Sequence, residues 1–493
     1  MDRARNEADR RSFHQIWRWG AVWAGALVMM WPALYNKFPL LYPDSMSYLE
    51  DGPLVARALF LHKFSADYGG RSFIYCLGIL PLHWNVTSWP IIGFNALLTS
   101  YFIWLVMRSI LRPQPAKDFL LLIVLLSLLT SLPWFVSLIM PDILGPVAYL
   151  GIYLLVFARE TLSRIERLIV IVFSWWAIAS HATHLMLATG ICFLLALLFV
   201  LRRPVMHCRL RAVGEVAVIV SLAAVAHLAL HDYLYGKPSL NGKRLPFLMA
   251  RVIADGPGYW YLKHNCGQVK LTVCDYLDLL PMDTDDFLWA PDGIWQRASE
   301  QTKARLRQEE TAFVLATLRA YPREQLSRSA SNFWHQLMTF DLSLFHPNEW
   351  VLHEFETVLP AERSNYLQSR QARDALPYEL FTSIQDFTVI VSLLLIAVFT
   401  PRMWSHRSPR LAGLGLVIVS TVVANAFVTG ILSMVENRFQ SRVIWLLPLL
   451  AGILVLDWYD RLEKKRSRSF TFAAPLEWRN STNRSRPESP QAQ

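Results

Sequence analysis

The sequence predicts an all-α polytopic membrane protein, with about ten transmembrane helices and one large, mainly helical loop outside the cytoplasm. Two observations predict this fold class. The 493-residue chain is 54% hydrophobic and only 17% charged, with a mean hydropathy of +0.28, whereas about a quarter of the residues in a soluble protein are charged. Apolar runs long enough to cross roughly 30 Å of hydrocarbon also recur along the chain. The predicted spans are residues 17–35, 89–107, 119–140, 143–157, 168–180, 185–201, 213–230, 387–399, 411–432 and 443–456.

Basic residues predict how these helices are oriented. The net charge is +10 and the pI is near 9.4, which alone would also suit a nucleic-acid-binding protein. The arginines and lysines, however, cluster at every second boundary between apolar runs, and this is the positive-inside pattern. We therefore expect an inner (plasma) membrane protein with both termini in the cytoplasm, and no nucleic-acid partner. The clusters include Arg3, Arg5, Arg108, Arg112, Arg159, Arg164, Arg202, Arg203, Arg402, Arg407, Lys464 and Lys465.

The same topology divides the chain into segments. The first apolar stretch has no small-residue cleavage site and is expected to remain as an anchor. The apolar stretch 73–82 is too short to span and is expected at the interface. The tail is basic and rich in Ser, Pro and Asn, and is expected to be disordered. The predicted segments are a cytoplasmic N-terminus (1–16), seven helices (17–230) with a first outer loop (37–88), the large outer loop (231–385), three helices (386–457) and the tail (458–493).

The large loop has two features of its own. Residues 298–342 alternate apolar side chains with Arg, Glu and Gln at helical spacing, which predicts a helix pair lying along the membrane surface. Cys266 and Cys274 lie in the same loop. Because the compartment outside a bacterial inner membrane is oxidising, they are candidates for a disulfide. Two unpaired thiols remain the alternative.

Two lone carboxylates lie on the predicted outer side. Asp44 follows Pro43 just after the first span, and Asp142 follows Pro141 in the turn between the third and fourth spans. Each has a structural interpretation: Asp44 could cap a short helix over 45–49, and Asp142 could complement a helix dipole. Each also has a chemical one, as a general base, an acid that orients a substrate hydroxyl, or a ligand of a shared divalent cation.

Histidines and arginines fall on the same predicted side. His181 and His184 are three residues apart, and hydrogen bonding to a headgroup or substrate phosphate is the favoured interpretation because metal binding needs a third ligand. Glu436, Arg438 and Arg442 precede the last span. Two guanidinium groups one turn apart suit a phosphate at headgroup depth. Ordinary salt bridging and interfacial anchoring are the alternative.

The order of these short motifs resembles that of GT-C-type membrane glycosyltransferases, over the layout from residue 17 to 456. Pro43-Asp44-Ser45 with Tyr48 is similar to the first outer loop of that superfamily, and Met140-Pro141-Asp142 to its second acidic site. Ala320-Tyr321-Pro322 is similar to a stretch near the end of its large loop, and Glu436-Asn437-Arg438-Phe439 to its late arginine-aromatic pattern.

The resemblance implies a polyprenyl-phosphate-linked sugar donor and inverting transfer of its sugar to a cell-envelope glycan, lipid or protein acceptor. Asp44 would be the catalytic base and Asp142 an auxiliary acid. Arg438, with Arg442, would hold the donor phosphate. The first loop lacks an acid-x-acid pair at Asp44, so a divalent cofactor stays open. Many relatives also have tyrosine where this chain has Phe439.

Two other classes of function stay open. A transporter or flippase of a lipid-linked substrate would carry ionisable residues deep in its spans, whereas here they gather at one rim. A non-catalytic membrane assembly factor would tolerate replacement of Asp44 and Asp142. Membrane lipids are expected neighbours in every case.

Overall fold

The computed structural model describes residues 19–65, 68, 71–111, 116–201, 210–240, 244–403 and 409–472, without the side chains of 402, 403 and 465–472. Across these ranges the regular structure is helical, and the β pairing is limited to an isolated bridge between Leu40 and Leu138. The predicted N-terminus, 1–16, lies outside the described residues.

The helices fall into three groups along the chain. The first group is α1 (Trp19–Met29), α2 (Trp31–Asn36), α3 (Pro43–Leu61), α4 (Phe73–His83), α5 (Trp89–Ile110), α6 (Ala116–Leu129), α7 (Leu132–Val136), α8 (Leu144–Phe157), α9 (Arg164–Ala179), α10 (Ala182–Val200) and α11 (Leu210–Tyr235). The large loop holds α12 (Phe247–Ala254), α13 (Pro257–Asn265), α14 (Thr284–Trp289), α15 (Ile294–Arg297), α16 (Glu300–Ala320), α17 (Pro322–Met338), α18 (Glu349–Glu354) and α19 (Arg363–Leu367). The last group is α20 (Tyr378–Met403), α21 (Pro409–Leu432), α22 (Asn437–Ile444) and α23 (Leu446–Phe472).

Six helical segments of the described chain are long and apolar enough to cross a membrane. The most exposed of them belongs to α20, whose outward surface includes the apolar residues Phe387, Leu394 and Val398. The segments are Trp89–Ile110, Ala182–Val200, Leu210–Tyr235, Tyr378–Pro401, Pro409–Leu432 and Asn437–Lys464. A membrane location therefore suits the fold.

Two predicted spans are interrupted. The first is divided at Met30 between α1 and α2, and Pro32 at the start of α2 cannot donate a helical hydrogen bond. The third is divided after α6 because Ser131 leaves the helix: its backbone N–H donates to Gln385 Oε1 at 2.6 Å, and its hydroxyl donates to the carbonyl of Ser441 at 2.6 Å. After α7 the chain becomes extended.

The tail differs from its prediction over its first part. Helix α23 continues to Phe472, so residues 458–472 are helical rather than disordered. The stretch holds good helix formers, and Arg461 pairs with Asp457 one turn earlier at 2.8 Å. The rest of the predicted tail, 473–493, lies outside the described residues.

The core of the membrane part surrounds α8. Its residues are apolar on every side and all but its last are buried, as expected of a helix enclosed by others. It packs against α5, α9 and α21. Its first turn, which follows Asp142, is thereby fixed at one end of the bundle.

The large loop has two parts. Helices α12 to α16 share a separate apolar core that includes Met249, Ile253 and Phe313. Helix α16 ends at Tyr321, and Pro322 begins α17, so the helices predicted over 298–342 form as two. The second part, from 339 to 377, packs on the segment between α2 and α3, where the side-chain amide of Gln371 both donates to Leu41 O at 2.7 Å and accepts from Leu41 N at 3.0 Å.

Candidate functional site

The first acid of the site, Asp44, lies at the second position of α3. The helix begins at Pro43, not at Ser45 as predicted, and Tyr42 rather than Asp44 occupies the cap position. The Ser45 hydroxyl accepts a hydrogen bond from the backbone N–H of Tyr42 at 2.9 Å, which closes the first turn. The Asp44 carboxylate is therefore not used as a cap and is available for other contacts.

The second acid, Asp142, lies in a 3₁₀ turn that leads into α8. A short backbone bridge brings the two acidic segments together. Leu40 N donates to Ser137 O at 2.9 Å, and Ile139 N donates to Leu40 O at 3.1 Å. These residues lie just before the two acids in the chain, so the bridge explains why both carboxylates reach the same end of the bundle.

Arginines join the two carboxylates. Arg438 contacts both: its Nη1 lies 3.2 Å from Asp44 Oδ2, and its Nε lies 3.8 Å from Asp142 Oδ1. Each carboxylate also has a second arginine partner. Arg71 donates to Asp44 Oδ1, and Arg442 Nη1 lies 3.3 Å from Asp142 Oδ1. The five side chains, called here the charge ladder, alternate cation and anion from Arg71 to Arg442.

The Arg442 end of the charge ladder is buried inside the bundle and held there by hydrogen bonds. Arg442 Nη2 donates to Asn425 Oδ1 at 2.9 Å. The amide nitrogen of Asn425 donates to Phe439 O at 2.6 Å and to Gln440 Oε1 at 2.9 Å. Asn425 lies within the apolar helix α21, where an unpaired polar group would be costly. The network therefore holds both the arginine and the start of α22.

Aromatic rings cover the central arginine. The guanidinium carbon of Arg438 lies 4.4 Å from the centroid of the Tyr42 ring and 5.1 Å from that of Phe439. These distances are within the range of cation–π attraction. Burial is the main cause that raises the pKa of Tyr42, so its phenol is protonated at neutral pH and can donate a hydrogen bond.

The two histidines are close to each other, with ring centroids 5.3 Å apart. His181 caps α10 and accepts a hydrogen bond from Thr183 N at 3.2 Å, and burial lowers its pKa well below the usual value. His184 is buried, and its Nδ1 donates to Ala177 O at 3.0 Å. Both side chains are thus engaged in shaping the break between α9 and α10.

The remaining predicted contacts occupy different surroundings. Tyr48 is fully buried and meets Tyr75 edge to face at 4.9 Å between centroids, which is a packing contact. Glu436 is half-buried, and its backbone N–H and carbonyl both bind the side chain of Gln336 at 2.9 Å. Burial raises the pKa of the Glu436 carboxyl, although Arg438 opposes this.

Arg71 is the site residue that the motifs missed. It lies 27 residues from Asp44, in a stretch with no motif. A signal was present in its position, because Arg71 falls in a segment predicted to lie outside the cytoplasm, and arginine is depleted from such segments of membrane proteins. An arginine predicted there is a candidate for a specific partner.

The cysteines of the large loop lie away from the charge ladder, in the part formed by α12 to α16. Cys266 follows α13, and Cys274 lies in a 3₁₀ turn over Thr272–Leu279. The structure joins them in a disulfide. Their contribution is to the loop and not to the site.

Among the described residues, no group of three His, Cys, Asp or Glu side chains is placed to hold a metal ion. The chemistry that can be derived from the site is that of its arginines and carboxylates. No family model matches the chain, and comparison with curated proteins and with solved structures found no match.

Proposed function

We propose that this protein is an integral membrane glycosyltransferase of GT-C type, which moves a sugar from a polyprenyl-phosphate-linked donor to an acceptor on the extracytoplasmic face. One observation carries the proposal. The charge ladder lies at the end of an apolar bundle and holds three guanidinium groups against two carboxylates. Its formal charge is therefore 3 − 2 = +1, which favours binding of an anionic group at this depth.

The donor phosphate would bind between Arg438 and Arg71. A polyprenyl tail stays in lipid and its phosphate stays at headgroup level. In the proposed topology the two arginines, which lie on either side of Asp44, would be at that level. Guanidinium groups match phosphate oxygens in geometry and charge. As the bond to the sugar breaks, they stabilise the charge on the departing polyprenyl phosphate.

Asp44 would be the base. Its side chain is 14% exposed, whereas that of Asp142 is 2% exposed, so an incoming hydroxyl can reach the first and not the second. Each carboxylate oxygen of Asp44 accepts one arginine hydrogen bond and has a further lone pair. The acceptor hydroxyl gives its proton to Asp44, and its oxygen bonds to the anomeric carbon. The bond from that carbon to the phosphate oxygen breaks, with its electron pair on the phosphate.

Asp142 and Arg442 would hold Arg438 in place rather than touch substrate. Both side chains are buried, and Arg442 is fixed by Asn425. A carboxylate at this position compensates the charge of two arginines and so helps to orient the cation that would bind phosphate.

The proposed topology has about ten crossings with both termini in the cytoplasm. Support comes from the shorter apolar helices Trp19–Met29 and Pro141–Phe157, which lie beside the six long segments. It also comes from the position of the charge ladder, whose residues all lie at the ends of apolar helices on one side of the bundle. The large loop would then be extracytoplasmic, as would the acceptor.

A second candidate function is transport of a lipid-linked substrate. The observation that favours it is the buried contact between Arg442 and Asn425, which extends the ladder into α21. Polar networks within spans mark transport pathways in many membrane proteins. The two proposals differ in what happens to the donor.

The test uses proteoliposomes that contain radiolabelled polyprenyl-phosphate sugars, hexose and pentose, together with cell-envelope lipids as acceptors. The glycosyltransferase proposal predicts that wild-type protein releases polyprenyl phosphate and labels an acceptor, and that Arg438→Ala does neither. Arg373→Ala is the control, since Arg373 is exposed and outside the ladder. Donor that crosses the bilayer unchanged would instead support transport. If the donor is neither consumed nor carried across the bilayer, both the glycosyltransferase proposal and the transport proposal are contradicted.

A further inference from the structure

Helix α17 has three sides of different character: one buries polar residues, one exposes large apolar residues, and one exposes the charged or polar residues Glu324, Arg328 and His335. It buries Gln325 and Gln336. Its outward side carries Leu326, Trp334 and Met338, which are 72%, 59% and 66% exposed. Spacings of eight and four residues place these three on one side of the helix. A helix surrounded by water buries its large apolar residues instead.

The apolar side of α17 is continuous with the outer surface of a membrane helix. Phe333 of α17 meets Phe427 of α21 at 6.4 Å between ring centroids, and Phe427 is itself exposed on an apolar helix long enough to span a membrane. The two helices approach closely at Gly430, where a Cβ atom would lie 2.8 Å from the carbonyl of Asn332. Glycine at this position therefore allows α17 to lie directly on α21.

We propose that α17 is embedded in the leaflet at this end of the bundle, with Leu326, Trp334 and Met338 in contact with lipid acyl chains. Two observations favour lipid over a protein partner: the apolar side meets the exposed side of α21 at the Phe333–Phe427 contact, and side-chain amides of the inward side already donate hydrogen bonds within the protein. Gln325 Nε2 donates to Asp255 Oδ2 at 2.7 Å, and Asn332 Nδ2 donates to Asp255 Oδ1 at 2.9 Å. Burial of three large apolar side chains provides the affinity.

The embedded helix is coupled to the charge ladder. Gln336, on the inward side of α17, binds both the N–H and the carbonyl of Glu436, two residues before Arg438. The following segment adds two more contacts: Asn437 Oδ1 accepts from Asp341 N at 3.2 Å, and Ser441 Oγ donates to Asp341 O at 2.9 Å. The depth of α17 in the leaflet therefore sets the depth of Arg438. This inference holds whether or not the site transfers a sugar.

The test places a fluorescent NBD label on α17 in a variant that keeps the Cys266–Cys274 pair and has serine at its other three cysteines, Cys76, Cys192 and Cys208. The labelled variants are Trp334→Cys and, as a second position, Leu326→Cys. Gln308→Cys, on the exposed side of α16, is the control. Each full-length protein is incorporated into nanodiscs of phosphatidylcholine or of phosphatidylcholine brominated in its acyl chains, and iodide is the aqueous quencher.

The proposal predicts that brominated lipid quenches the labels at 334 and 326 several-fold more strongly than the label at 308, and that iodide does the reverse. Iodide quenching at 334 and 326 equal to that at 308 would overturn it, because the face would then be in water. Protection from both quenchers would also overturn it, because the face would then be covered by protein. Equal gel-filtration profiles of the three variants show that the comparison is made on folded protein.

Discussion

The two carboxylates of the charge ladder share one arginine and differ in everything else around them. Asp44 has Arg71 as its second partner, and that arginine is a quarter exposed. Asp142 has Arg442 as its second partner, which is buried and bound to Asn425. The same residue type is thus found once at a surface open to water and once inside the bundle.

The difference in exposure between Asp44 and Asp142 determines which tasks each acid can perform. An acid that exchanges a proton with an incoming hydroxyl must be reachable, and only Asp44 is. A buried carboxylate between two guanidinium groups is needed in its charged form, because its loss leaves cations uncompensated in a low-dielectric interior. The proposed role of Asp44 is therefore chemical, and that of Asp142 is to support Arg438.

The largest expected effect is on turnover, from Asp44→Asn. Removal of a general base costs roughly 10²- to 10⁴-fold in rate, while the loss of stability should be smaller than that of Asp142→Asn, because Asp44 and its partner Arg71 are 14% and 25% exposed. The measurement is donor consumption per folded molecule in proteoliposomes. Glu50→Gln is the matched control, because Glu50 is exposed on the same helix, and it should retain wild-type turnover.

The next effect is on stability, from Asp142→Asn. Loss of one partner from a buried ion pair costs about 3–5 kcal/mol, so this variant should unfold at a clearly lower temperature in detergent micelles than Asp44→Asn does. The double variant Asp142→Asn with Arg442→Met also removes the arginine that would be left uncompensated. It should therefore regain much of the lost stability. Equal melting temperatures for the two single variants would show that the buried pair has no special role.

A smaller effect is expected from Gln336→Ala, which tests the coupling of α17 to the arginine segment. The variant leaves the backbone N–H and carbonyl of Glu436 without their partner, at a cost of roughly 1–3 kcal/mol. Because Arg438 is displaced and Asp44 is not, KM for the donor should rise more than kcat falls. Gln308→Ala is the control. A fall in kcat at constant KM would place Gln336 in the chemistry instead.

The smallest effect concerns Glu436 and pH. Burial raises its pKa above the ordinary value of 4.5, so the folded protein binds this proton more tightly than the unfolded chain does. Stability should therefore fall as pH rises from the ordinary pKa through the raised one. Glu436→Gln should melt like wild type near pH 4 and slightly higher near pH 7. A constant difference between the two proteins across this range would contradict the shift.

Part of the site could be predicted from sequence. Asp44, Asp142, Arg438 and Arg442 each follow or precede an apolar run, so the order of the runs was sufficient to propose that they share one end of the bundle. The hydropathy pattern likewise predicted apolar helices, because burial in lipid is a property of each segment alone.

The pairings could not be predicted in this way. The bridge between Leu40 and Leu138 joins segments far apart in the chain, and Arg71 reaches Asp44 only because α3 and α4 pack together. The breaks in the first and third predicted spans also depend on tertiary contacts, such as that of Ser131 with Gln385. Hydropathy does not report hydrogen bonds between distant segments.

The most direct test of the two proposed roles is turnover per folded molecule, measured for Asp44→Asn and Asp142→Asn in the same proteoliposome preparation. If Asp44 is the base, Asp44→Asn should be well folded and should have lost turnover. The smaller folded fraction of Asp142→Asn should keep at least about tenfold more turnover per molecule, because its base is intact. Equal turnover for the two variants, or more turnover for Asp44→Asn, would contradict the assignment of base and support.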